Sequence, residues 1–148
     1  MHRSHFTVHT PAEILLVEDN PADIRLLQEA FKGCAKACKL IVTRDGEQAM
    51  AFLHQEGEYS SSRRPDLILL DLNLPRKNGL EVLAEVKQEQ GLRRIPVIML
   101  STSTNRDDIC RSYDLHANCY ISKPVDLLEL IELGKVIEKF WLKWTVLP

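Results

Sequence analysis

Residues Asp66–Gly79, DLILLDLNLPRKNG, restrict the fold of this chain more than any other stretch. Leu67, Ile68, Leu69 and Leu70 form a short continuous apolar run, as expected of a strand covered on both faces in a parallel sheet. Asp71 stands where that strand emerges, and Pro75 with Asn78-Gly79 punctuates the loop beyond it. Ligands of open α/β sheets bind just outside the carboxyl ends of the strands. An acid at this point is therefore placed for chemistry. By itself the stretch reads equally well as a capping or loop carboxylate.

The remaining chain repeats the pattern. Glu13–Val17 is a second apolar strand, ending in Glu18-Asp19-Asn20-Pro21, with Asn20 as N-cap and Pro21 in the first turn of a helix. Ile24, Leu27, Ala30 and Phe31 carry that helix to about Lys36. Lys39–Thr43 is a strand, Gly46–Gln55 a helix, and Gly57–Arg64 a Ser-rich surface loop. After the Asp66–Asp71 strand come a helix from Leu80 to about Gln90 and a strand over Ile95–Leu100. Ser101-Thr102-Ser103-Thr104 then leads, with Thr104 or Asn105 as cap, into a helix from Arg106 to about Leu115. A brief strand over Asn118–Ile121, the turn Ser122-Lys123-Pro124, and a helix from Val125 to about Trp144 complete the chain. Five strand–helix alternations predict one doubly wound α/β domain, a parallel sheet covered on both faces. Its expected extent is 13–148, behind a flexible lead-in over 1–12.

Composition narrows the function classes. A net charge of −2 carries no whole-chain signature of nucleic-acid binding. No apolar run approaches the ~18–20 residues of a membrane span, and MHRSHFTVHTP has no apolar core of a signal peptide. Its three histidines read as incidental. Cys34 and Cys38 lack partners at zinc-site spacing, and Cys110 and Cys119 stand singly in apolar surroundings. Reduced, mostly buried thiols in a cytoplasmic protein are the expectation.

The last helix carries more apolar surface than one sheet face needs. At about 100° per residue, Glu129, Glu132, Lys135, Lys139 and Lys143 share one side, and the apolar residues from Leu127 to Trp144 cover roughly 200°. Core packing or a second buried contact accounts for the surplus, and a dimer interface or docking tail is the preferred reading.

Four strands end in groups with chemical use: Glu18 and Asp19, Asp71, Ser101, and Lys123. Parallel strands bring these ends to one edge. Three clustered carboxylates repel one another unless a cation sits among them. A hard divalent ion such as Mg²⁺ removes that penalty. A lysine and a hydroxyl suit a dianionic group. The set suits phosphoryl transfer, with Asp71 as nucleophile forming an acyl phosphate.

Four motifs in order, ILLVEDNP, DLILLDLNLPRKNG, IPVIMLST and CYISKP, resemble the receiver domain of two-component response regulators over about Glu13–Leu142. The resemblance implies a flavodoxin-like fold with strand order 2-1-3-4-5. It further implies Asp71 as phosphoacceptor, and Glu18, Asp19, Asp71 and the backbone carbonyl of Asn73 as Mg²⁺ ligands. Ser101 is the implied switch hydroxyl, Lys123 its ion-pair partner, and Tyr120 the switch aromatic. The Lys123–Pro124 bond is usually cis in the family. Glu18-Asp19 replaces the commoner Asp-Asp pair, and Ser101 the commoner Thr. Asn73 and Ser103 stand where the family tunes dephosphorylation.

Only 27 residues follow Ile121, which leaves no room for an output domain and points to signalling by protein contact. FWLKWTVLP, the 57–64 loop and YDLHANCYISKP look like stand-alone receivers that serve phytochrome-type histidine kinases in bacteria. These tend to dimerise around the fourth helix, fifth strand and fifth helix. The implied partners are a histidine kinase and a second copy, met through Tyr113, Tyr120, Phe140, Trp141 and Trp144. The protein is then no enzyme beyond its own phosphorylation and dephosphorylation. Two rivals stay open: a pseudo-receiver that only binds, and an Asp-nucleophile phosphatase. The phosphatase needs a second acid two residues after the nucleophile, and position 73 is Asn.

Overall fold

Each of the five apolar runs is a strand in the computed structural model, which describes residues 11–34 and 38–148. The strands are β1 (Ala12–Val17), β2 (Cys38–Thr43), β3 (Leu67–Leu70), β4 (Val97–Ser101) and β5 (Cys119–Ser122). They form one parallel sheet in the order β2-β1-β3-β4-β5, as the resemblance implied. The helices α1 (Pro21–Phe31), α2 (Gly46–Leu53), α3 (Gly79–Gln88), α4 (Arg106–Asp114) and α5 (Leu127–Ile137) alternate with the strands.

Side chains alternate across each strand and split the core in two. Leu15, Val17, Ile68, Leu70, Val97 and Met99 face α2 and α3. Ile14, Leu16, Leu67, Leu69, Ile98 and Leu100 face α1 and α5. β3 is wholly buried, because it lies mid-sheet with helices over both faces. Close approach is built in at Gly134, where a Cβ would stand 2.5 Å from Ala30 Cβ, which lets α5 lie tightly on α1.

The caps follow the sequence. Asn20 Oδ1 accepts from the N–H groups of Ala22 and Asp23 to start α1, with Pro21 in its first turn. Asn105, rather than Thr104, caps α4. Asn78 and Glu81 form a reciprocal capping box on α3. The 57–64 loop contains a short 3-10 turn over Gly57–Tyr59. Its Arg63 bonds Glu13, Asp66 and the Pro11 carbonyl, tying the loop to the amino-terminal side of the sheet.

Several expectations change. α1 ends at Phe31 and passes into a 3-10 turn over Lys32–Cys34, short of Lys36, which lies outside the described residues. The last helix is α-helical only to Ile137, and Glu138–Trp144 is wound as a π-helix. The 100° spacing used on the sequence therefore ends at Ile137. Cys38 is disulfide-bonded, whereas Cys110 and Cys119 are free, and Cys110 is exposed. The expectation of reduced, buried thiols rested on cysteines without framework spacing, and spacing does not report which thiols meet in the fold. Most of the lead-in, with its histidines, lies outside the described residues, and β1 begins at Ala12, inside its expected bounds.

Candidate functional site

Strand register brings the predicted groups together. Val17 pairs with Leu70, so Glu18 and Asp71 emerge side by side, and the Asp71 N–H donates to the Val17 carbonyl at 3.0 Å. Leu70 pairs with Met99, which carries Ser101 to the same edge. Ser101 pairs with Ser122, and the Lys123 N–H donates to the Ser101 carbonyl at 2.7 Å. On the far side of β3, Gly79 makes the approach of α3 possible. A Cβ there would lie 2.2 Å from the Asp71 carbonyl oxygen.

Glu18, Asp19 and Asp71 each offer one oxygen, and these lie within 4.8 Å of one another. Glu18 and Asp71 are buried, and Asp19 is exposed. Lys123, also buried, faces them. Its Nζ is 2.7 Å from Glu18 Oε1, 3.0 Å from Asp23 Oδ2 and 3.9 Å from Asp71 Oδ2. An all-oxygen, acid-rich set with one exposed side fits a hard divalent cation that keeps part of its water.

The charges explain the titration behaviour. Burial and then repulsion from Glu18 push Asp71 up to about 7, against the pull of Lys123 and of the Leu72 and Asn73 backbone N–H groups. Burial alone would lower Lys123, but the bond to Glu18, the charges of Asp71 and Glu18, and the bond to Asp23 raise it. Lys123 is therefore a fixed positive charge. Its attraction does not offset the crowding of two buried carboxylates.

A pH dependence follows for the metal-free protein. The unfolded chain releases the Asp71 proton near 3.8, and the folded protein holds it to about 7. Between these values the folded state binds the extra proton, so the contribution of Asp71 to stability falls as pH rises through this window. Denaturation midpoints for wild type relative to Asp71→Asn are expected to drop between about pH 4 and about pH 7. A relative midpoint that rises instead would show Asp71 ionised throughout.

Ser101 is fully buried at the end of β4, and its Oγ accepts from the Ser103 N–H at 3.1 Å. The Tyr120 hydroxyl donates to the Ser103 carbonyl at 2.8 Å, linking β5 to the loop that follows β4. Ser103 Oγ donates to Asp108 of α4. Asn73 is exposed in the loop after β3. Among the described residues no peptide bond is cis, so the Lys123–Pro124 bond is trans, which corrects the expectation for Pro124. Trans is the intrinsically favoured isomer by about 0.5–1 kcal/mol, and in it Lys123 already reaches Ser101 and Glu18.

Of the residues expected at an interface, Tyr113, Phe140 and Trp144 are exposed. Tyr120 and Trp141 are partly buried against the two core halves. The Tyr113 hydroxyl accepts from the Tyr120 N–H at 3.1 Å, so α4 covers part of the β5 edge. Asp23 is a site residue that the strand-end pattern does not reach, because it lies on a helix. Its one sequence signal is its place in the first turn of the helix that starts at the acidic pair.

Comparison with known proteins agrees with this geometry. Residues 14–135 match the family model of the response regulator receiver domain. Over 138 residues the chain is 56% identical to response regulator Rcp1 of Synechocystis sp., which covers 93% of this chain and 94% of that protein. The crystal structure of the phosphorylated cyanobacterial phytochrome response regulator RcpA is similar at a TM-score of 0.91 and 57% identity, over 94% of this chain and 99% of that one. The Mn²⁺-bound form of Rcp1 gives a TM-score of 0.89 at 56% identity, over 93% and 99% of the two chains. Fold, strand-end residues and relatives agree: the chain belongs to the response regulator receiver domain family.

Proposed function

We propose that this receiver accepts a phosphoryl group on Asp71 from a phosphohistidine of a histidine kinase. The observation that carries the reading is the buried Lys123 ammonium set among Glu18, Asp23 and Asp71 beside an open cluster of acids. An Asp71 oxygen attacks phosphorus in line, and the P–N bond to the kinase imidazole breaks with its electron pair leaving on nitrogen. An acyl phosphate remains on Asp71. Glu18, Asp19, Asp71 and the backbone carbonyl of Asn73 would hold Mg²⁺, which when bound neutralises the crowded carboxylates and the charge of the transferring group. Lys123 and Ser101 then bond the new oxygens.

The readout is a population shift. A Ser101 hydroxyl drawn to the phosphoryl group gives up its bond from the Ser103 N–H, and Ser103 is the residue Tyr120 and Asp108 hold. Repacking at Tyr120 changes the face formed by α4, β5 and α5. Apart from its own phosphorylation and dephosphorylation the protein is no enzyme, and it signals by protein contact in the cytoplasm.

The donor we propose is a phytochrome-type kinase. Its support is the similarity to a structure named as a phytochrome response regulator. We also propose a homodimer. An apolar groove of about 450 Å³ runs between β5 and the last helix, lined by Cys119, Ile121, Leu133, Val136, Phe140 and Trp141. Val136 and Phe140 of this lining remain exposed, and Trp144 is exposed as well. A second copy that covers this face would bury these exposed apolar side chains. Light scattering is expected to show dimer at high micromolar concentration, and monomer alone, with and without phosphorylation, would sink this part.

The direct test is intact mass after acetyl phosphate and Mg²⁺. One gain of about 80 Da per chain is expected, the mass of one phosphoryl group. No gain together with no Mg²⁺ binding would favour the pseudo-receiver.

A further inference from the structure

We propose that Asp23 is the positioning residue for Lys123, holding the ammonium where it meets a phosphoryl group on Asp71 rather than Asp71 itself. The inference rests on the reading of Asp71 as phosphoacceptor. A lysine ammonium has three N–H donors. Two go to Glu18 at 2.7 Å and Asp23 at 3.0 Å. Asp71 stands 3.9 Å away, beyond hydrogen-bond distance. Among the described residues the third donor has no acceptor within hydrogen-bond distance, and Asp71 lies just beyond it. A phosphoryl group adds oxygens beyond the carboxylate, which would close a gap of this size with the lysine in place.

Glu18 is an imperfect anchor, since its carboxylate is also a member of the acid cluster. Asp23 is not. Its carboxylate has Lys123 as its partner among the described residues. Its backbone is fixed as well: its N–H donates to the Asn20 cap, and Ile24 beside it is buried in the core. A long, four-carbon side chain loses much rotamer freedom when held at one point. An acid on a rigid first turn supplies that restraint without competing for the cation.

The experiment compares initial rates of labelling by acetyl phosphate at saturating Mg²⁺, read by intact mass, for wild type, Asp23→Asn, Lys123→Ala and the double variant. Asp23→Asn is expected to slow labelling about tenfold, the scale of one charge-assisted hydrogen bond. In the Lys123→Ala background the same change should cause no further fall, because its effect passes through the lysine. Asp23→Glu, which keeps the charge, should stay within about threefold of wild type. An unchanged rate for Asp23→Asn, an equal fall in both backgrounds, or a Glu variant as slow as the Asn one overturns the proposal. A wild type that takes no label and binds no Mg²⁺ overturns the phosphoacceptor reading and this inference together. A wild type that labels no faster than Asp23→Asn overturns this inference alone.

Discussion

Asp71→Asn is expected to abolish the mass gain from acetyl phosphate, to the background of the assay, while the protein stays folded. The amide matches the carboxylate in shape but cannot form an acyl phosphate. Stability should hold for a separate reason. The native carboxylate is buried and repelled by Glu18, and these effects push its pKa up to about 7. A neutral side chain at this point removes the repulsion, so the metal-free variant should melt no earlier than wild type near neutral pH and later above it. Circular dichroism and thermal melts run beside the mass measurement separate the two effects. Retained labelling in a folded variant would show that another group is the acceptor. Lost labelling in an unfolded variant would show that the stability argument, and the charge balance beneath it, is wrong.

Lys123→Ala should produce the largest loss of stability among the site variants, and one that depends on metal. The lysine side chain is 5% exposed, and its ammonium lies 2.7 Å from Glu18 and 3.9 Å from Asp71. Removing one partner of a buried ion pair typically costs about 3–5 kcal/mol, since the other charge stays buried without compensation. For a domain of this size that corresponds to roughly 10 °C in melting temperature. Part of the loss is recovered as pH falls through neutral, where Asp71 takes up a proton. Excess Mg²⁺ should recover more, by supplying positive charge to the same carboxylates. Labelling should persist at a reduced rate, while the phosphorylation-linked change at the face formed by α4, β5 and α5 should be lost. A destabilisation below about 1 kcal/mol would place Lys123 with solvent-screened surface pairs, and the charge balance proposed for the site would fail.

The contrast between these variants shows where charge and packing each act. Asp71 sits at the carboxyl end of a wholly buried strand, so its surroundings are fixed by packing of the apolar run beneath it. Lys123 reaches the site from the edge strand, where β5 is only partly covered. Its place depends more on ion pairs. Dynamics and function meet at the second point, because an edge element held by polar contacts rearranges at lower cost than a buried strand.

What the sequence determined by itself was the set of elements and the ends that matter. Leu67–Leu70 could be read as a buried strand because a parallel sheet covered on both faces leaves no polar position. Asp71, Glu18, Asp19, Ser101 and Lys123 could be found because the strand period places chemistry at the ends of such runs. Local chemistry also specified the cap at Asn20 and narrowed that of α4 to Thr104 or Asn105, since such caps act within three residues of themselves. Tertiary structure decided the rest. Asp23 meets Lys123 across a hundred residues of chain, through a helix orientation set by packing of α1 on α5 and by Gly134 between them. The disulfide at Cys38, the trans bond before Pro124 and the π-wound end of the last helix are likewise settled by contacts and covalent chemistry that no periodicity reports. Periodicity encodes which face of an element is buried. It carries no information on which distant side chain lies opposite, and the position of the Lys123 ammonium among three carboxylates is of that second kind.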